Sequence, residues 1–131
     1  METQPLFVGV DVSQDQLEYA FRPTGQRGQC ANTETGVAEL VTQLTAMQPA
    51  LVVLEATGGL ELAATTALVS AGCPVAVVNP RQARDFAKAT GELAKTDRID
   101  AGMLAHFAEA IRPRVQDLPD EQAQRLKALL T

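Results

Sequence analysis

Leu6-Phe7-Val8-Gly9-Val10-Asp11 places an unbroken apolar run directly before a carboxylate. A run this short and this continuous reads as a strand buried on both faces, the kind found in a sheet with helices on each side. Asp11-Val12-Ser13-Gln14-Asp15-Gln16 reads as a turn, and the residues from Leu17 to Arg22 alternate as a second strand. Pro23-Thr24-Gly25 turns into a third strand around Gln29-Cys30-Ala31-Asn32. Short turns between three strands predict an antiparallel meander.

The apolar period then changes. Val37, Leu40, Val41 and Leu44 follow helical spacing, which predicts an amphipathic helix from about Glu34 to Met47, closed by Pro49. Ala50-Leu51-Val52-Val53-Leu54 is a fourth, buried strand. Thr57-Gly58-Gly59 is read as opening a helix with its stripe at Leu60, Ala64, Ala67, Leu68 and Ala71, and Gly72 suits its C-terminus. Pro74-Val75-Ala76-Val77-Val78 is a fifth strand, and Asn79-Pro80 starts a further helix, since proline is tolerated at the first helical position. A last helix is expected from Asp97, capped by Thr96, to about Ile111, where Arg112-Pro113 ends it. Three strands followed by alternating helices and strands give an α/β domain with a five-stranded mixed sheet, the RNase H-like order. Residues 1–115 are expected to form this domain. Residues 116–131, with Leu126, Leu129 and Leu130, read as the start of a helical connector to a further domain. Leucines at that spacing predict a packing seam, most simply a two-fold dimer.

Composition narrows the function classes. A chain of 131 residues, 46% of them hydrophobic, supports one domain with a real core. The absence of Trp and the single Tyr argue against binding nucleic acid on stacked aromatic platforms. The net charge of −5 is a poor sign for nucleic-acid binding, yet acids gathered for a metal would produce the same total. Cys30 and Cys73 have no paired spacing, which suggests free thiols in a reducing cytosol. No apolar run approaches the roughly 20 residues of a membrane span, so a cytoplasmic protein without membrane contact is expected.

Asp11 and Glu55 each end a hydrophobic strand. In sheets with crossover connections, sites lie beyond the carboxyl ends of the central strands. If the two strands are parallel neighbours, their carboxylates emerge together, and like charges that close either raise one another's pKa or recruit a cation. The bland alternative for each is a turn or a helix cap. Asp97 and Asp100, three residues apart, would share one face of the last helix with Ala101, Leu104, Ala108 and Ile111. Here too there is a bland alternative, since an Asp in a first helical turn complements the macrodipole. Four acids from three elements are better served by one metal site than by four separate explanations. His106 lies opposite Asp97 on the helical wheel and is expected at the surface.

Arg81, Arg84, Lys88, Lys95 and Arg98 gather just before the last two acids and could hold phosphates. Asp85 and Glu92 among them leave open a solvated mixed-charge face.

Val8-Gly9-Val10-Asp11-Val12-Ser13, Leu54-Glu55-Ala56-Thr57-Gly58-Gly59, Val77-Val78-Asn79-Pro80-Arg81, Asp85-Phe86-Ala87 and Lys95-Thr96-Asp97-Arg98-Ile99-Asp100-Ala101 together resemble the N-terminal domain of the DEDD transposases. That family includes Piv/MooV-type DNA invertases and insertion-sequence recombinases guided by a bridge RNA. The resemblance spans roughly Phe7 to Pro119. It implies a RuvC-like nuclease fold in which Asp11, Glu55, Asp97 and Asp100 bind Mg2+ (or Mn2+) for DNA strand cleavage and transfer. DNA and a guide RNA are the implied partners. The family's nucleophilic serine belongs to a C-terminal domain that this sequence does not contain, so an incomplete recombinase is expected. The competing readings are half of an actin-like or sugar-kinase ATPase and a non-catalytic nucleic-acid-binding or dimerisation module.

Overall fold

The computed structural model describes residues 4–92 and 98–115. The five strands are β1 (Phe7–Val12), β2 (Gln16–Arg22), β3 (Arg27–Ala31), β4 (Leu51–Glu55) and β5 (Val75–Val78). They form one sheet in the order β3-β2-β1-β4-β5. β1, β2 and β3 pair antiparallel, whereas β1, β4 and β5 run parallel. The helices are α1 (Glu34–Met47), α2 (Leu62–Ser70), α3 (Pro80–Ala89) and α4 (Ala101–Ile111). The mixed sheet, its meander and its crossovers are those expected from the apolar periods.

The alternation of β1 divides the core into two layers. Val8, Val10 and Val12 meet Val37, Leu40 and Leu44 of α1 and Ala64 and Leu68 of α2. On the opposite face, Phe7, Leu51, Val53, Ala76 and Val78 meet Ala83 and Ala87 of α3 and Leu104, Phe107 and Ala108 of α4. Both faces of the central strands are therefore dry, which is why their sequences are continuous apolar runs. Gly9 lets α4 lie directly on β1: a Cβ there would stand 2.2 Å from the Ala101 carbonyl oxygen and 2.3 Å from the Ala105 nitrogen. Ala20, Ala101 and Ala105 extend this small-residue contact onto β2. A valine in place of Gly9 would hold α4 away from the sheet.

The ends of the elements differ from expectation at three places. Asp11 lies inside β1, because the hairpin pairs it with Glu18 and carries the strand to Val12. The Thr57-Gly58-Gly59 segment is a loop, and α2 begins only at Leu62. Gly58 and Gly59 have φ of +77° and +118°, left-handed values that a helix cannot contain. Leu60 is accordingly exposed, and the buried stripe is Ala64, Thr65 and Leu68.

The last helix begins at Ala101, and residues 98–100 are not helical. Asp100 is extended, and its carboxylate accepts the Met103 N–H at 2.8 Å, the geometry of an N-cap. The expectation that Asp97 and Asp100 share a helical face is thereby corrected for Asp100, while Asp97 and Thr96 lie outside the described residues. Ala101, Leu104 and Ala108 are buried as expected, but Ile111 is exposed where Arg112 turns left-handed and ends the helix.

His106, expected at the surface, is half-buried. Rather than facing open solvent, it packs edge-on against Phe86 of α3, centroids 4.9 Å apart, and its Nδ1 meets Glu92 Oε1. The segment from 116 to 131, including the expected leucine seam, lies outside the described residues.

Candidate functional site

Parallel pairing aligns Phe7 with Leu51, Val8 with Val52, Gly9 with Val53 and Val10 with Leu54. The next step along both strands brings Asp11 beside Glu55, on the face that carries α3 and α4. Neighbouring strands run about 4.8 Å apart, so the two carboxylates leave the sheet side by side. Across the antiparallel side, Glu18 is the register partner of Asp11. The row on this face therefore reads Glu18, Asp11, Glu55 across three strands, and sequence reasoning missed Glu18. Its signal was the two-residue period of the hairpin, which fixes its facing once the turn between Asp11 and Gln16 is known.

Asp11 and Glu55 line a cleft of about 270 Å³ with Val12, Thr57, Pro80, Ile99 and three arginines, Arg81, Arg84 and Arg98. Burial pushes the Asp11 carboxyl above its ordinary pKa; the Arg98 guanidinium counters this, and the charges of Glu18 and Asp100 reinforce it. Arg98 stands 3.6 Å from Asp11 Oδ2. Glu55 is raised for the same first reason, burial, with the Asp11 charge adding to it and Arg98 and Arg84 opposing. Its Oε2 is buried and has no hydrogen-bond partner among the described residues.

A buried oxygen left without a donor, beside a second acid that disfavours its charge, calls for a proton or a cation. Hard carboxylate donors of this kind fit Mg2+ or Mn2+. Among the described residues no three such side chains close a ligand set by themselves. Asp97 lies outside those residues. Asp100 lies in a neighbouring groove with Arg22, Arg27, Glu92 and Met103. There Asp100 caps α4 and stands 3.9 Å from Arg27 Nη1. Its charge still reaches Asp11.

Of the five basic residues singled out in the sequence, the structure brings Arg81, Arg84 and Arg98 into the cleft with the two acids. Asn79 builds that wall: its side chain accepts the Arg81 N–H at 2.7 Å and, with Pro80 next, starts α3 at the carboxyl end of β5. Lys88 is exposed near the end of α3 and does not line the cleft. Lys95 lies outside the described residues. Glu92, interspersed among these residues in the sequence, meets His106 and does not line the cleft.

Glu61 is a second residue that sequence reasoning missed. It is 6% exposed, and its Oε1 accepts the Thr57 N–H at 3.0 Å and the Gly59 N–H at 3.2 Å. The two backbone donors that a phosphate would need in a glycine-rich loop are thus occupied by an internal carboxylate.

The comparisons with known proteins bear on this geometry. The DEDD transposase family of the IS110 type, described as transposase, matches residues 8–131. Among curated proteins no sequence matches. Among solved structures, RuvC of T. thermophilus in complex with a Holliday junction substrate superposes with a TM-score of 0.59 at 15% identity, covering 88% of this chain and 100% of that one. A second Thermus thermophilus RuvC structure gives a TM-score of 0.50 at 15% identity, covering 91% and 87%. At that identity the likeness is one of fold: the sheet and its helices are RuvC-like.

Proposed function

Because the chain belongs to the DEDD transposase family, we propose that it is the metal-dependent catalytic domain of an insertion-sequence transposase, cleaving and transferring DNA strands. Asp11, Glu55, Asp97 and Asp100 would hold Mg2+, with Mn2+ able to replace it. The observation that carries this reading is that Asp11 and Glu55, one step past the Val10–Leu54 pair of adjacent parallel strands, line one cleft with three arginines, where Glu55 Oε2 is buried without a hydrogen-bond partner among the described residues.

When bound, such metal ions supply charge neutralisation at a phosphodiester and activation of an attacking oxygen. The chain's own residues do the rest. Arg81, Arg84 and Arg98 orient phosphate groups over the acids by charge-assisted hydrogen bonds. Lys88, exposed near the end of α3, adds a further basic side chain outside the cleft, and Lys95 is the fifth proposed phosphate contact. α4, seated on Gly9, fixes where Asp100 stands at the start of the helix. DNA is the proposed substrate, a reading supported by the RuvC relative that holds a Holliday junction. A guide RNA is the second proposed partner, and residues 116–131 are the proposed connector and self-association segment. No helix among the described residues is long and apolar enough to cross a membrane.

Manganese or magnesium titration by calorimetry tests the site. The chain should bind the ion, and an Asp11→Asn, Asp97→Asn double variant should not. Equal affinity in the two would end the assignment.

A further inference from the structure

The loop between β4 and α2 connects Glu55 to a buried carboxylate outside the cleft. Ala56 donates its N–H to the Val78 carbonyl at 3.0 Å, which ties the start of the loop to β5. Beyond it, left-handed φ values of +77° at Gly58 and +118° at Gly59 fold the backbone back. Glu61 Oε1 receives the Thr57 and Gly59 N–H groups at 3.0 and 3.2 Å, while the Glu61 carbonyl accepts the Thr65 N–H at 2.9 Å. One residue thus closes the loop with its side chain and starts α2 with its backbone. Its carboxylate, at the N-terminal end of that helix, also has the sign the macrodipole favours.

Thr57 lies two residues past Glu55 and shares the cleft wall with it, whereas Glu61 does not line the cleft. We propose that Glu61 is a positioning residue: it holds the Thr57–Gly59 backbone so that Glu55 and Thr57 face the arginine wall with the loop already formed. The low exposure of Glu61 strengthens both hydrogen bonds relative to water. The cleft wall is then preorganised by a side-chain oxygen of the protein itself.

This proposal rests on the metal-site reading for its functional consequence, and the experiment separates the two. Amide exchange at Thr57 and Gly59 and manganese titration by calorimetry are measured on the full chain and on Glu61→Ala, Glu61→Gln and Glu61→Asp. Glu61→Gln keeps an oxygen for the two amides and should match the parent within about twofold in both readouts. Glu61→Ala should speed exchange at both amides about tenfold or more while β1 and β4 stay protected, and should weaken manganese binding about tenfold, the scale of a lost outer-shell support. If Glu61→Ala does not fold, Glu61→Asp, shorter by one methylene, must show both losses in milder form. Unchanged exchange in Glu61→Ala, unchanged manganese affinity in a parent-binding background, or equal damage from Glu61→Gln would each overturn the proposal. If the parent itself binds no manganese, the metal reading falls alone and the exchange data decide whether Glu61 holds the loop.

Discussion

Asp11 and Glu55 stand in adjacent parallel strands one step past the Val10–Leu54 pair, so a single register decides that two acids 44 positions apart in the chain are neighbours. Everything proposed for the cleft depends on that register, and several consequences can be measured.

Burial, first of all, holds both carboxyls above their ordinary pKa; the charges of Glu18 and Asp100 add to it at Asp11, and the Asp11 charge adds to it at Glu55. An acid whose folded pKa exceeds its unfolded value binds its proton more tightly when folded. Its contribution to stability is present below the unfolded value, 3.8 for Asp11 and 4.5 for Glu55, and is lost as pH rises through the folded one. Without divalent metal, Asp11→Asn and Glu55→Gln should therefore be more stable than the parent at pH 7, and the gain should disappear near pH 4. Urea melts at the two pH values, with a chelator present, check the sign.

Added manganese should reverse that ranking, because a cation repays the repulsion only where both carboxylates remain. DNA cleavage should fall more than about 100-fold in either variant, since even an outer-shell change costs about 10- to 100-fold. Thermal shifts with and without manganese, run beside a cleavage assay, would show it. A variant stabilised by metal as much as the parent would contradict the paired-acid reading.

Asp100 has two roles that substitution can separate. Its side chain caps α4 through the Met103 N–H at 2.8 Å. Asp100→Asn keeps an N-cap oxygen and should leave stability nearly unchanged, whereas Asp100→Ala should cost about 1 kcal/mol. Both should weaken metal binding if Asp100 is a ligand. Chemical denaturation paired with calorimetry distinguishes the cap from the ligand.

Gly9 is where the fold and the site meet. Gly9→Val would drive its side chain into the Ala101–Ala105 backbone. The expected cost is about 3 kcal/mol or more, at the upper end of core overpacking, because the obstructing atoms are backbone. Gly9→Ala should be damaging for the same reason, unlike an ordinary glycine-to-alanine change in a strand. Denaturation midpoints of the two variants test this.

Changing Arg81 and Arg84 to Ala should weaken duplex DNA and structured RNA alike and flatten the salt dependence. Each lost phosphate contact removes about 0.9 from the slope of log affinity against log salt on duplex DNA. Fluorescence titrations at two salt concentrations measure both. An unaltered slope would leave these arginines as a solvated face.

How much of this was legible beforehand follows from the range of the forces involved. Apolar periodicity is local, and it placed the five strands and α1 closely, because continuous runs and helical stripes each have few alternatives. Asp11 and Glu55 were visible as acids at the ends of apolar strands, and Asn79-Pro80 as a helix start. The starts of α2 and α4 were not visible. Gly58 and Gly59 are compatible with a helix start until their φ values are known, and Asp100 caps α4 only because α4 must begin where Gly9 admits it. Glu18 and Arg27 drew no notice, since their relation to Asp11 and Asp100 exists only once β2 and β3 are paired. Glu61 drew no notice in sequence either, since only the folded loop brings it to the two amides. The sequence by itself determined the element types, their order and the acids placed against apolar strands, because these follow from short-range periodicity and residue chemistry. Tertiary structure alone decided which carboxylates are neighbours, which arginines face them and which backbone donors are already satisfied, because register and helix docking are settled by packing between segments far apart in the chain.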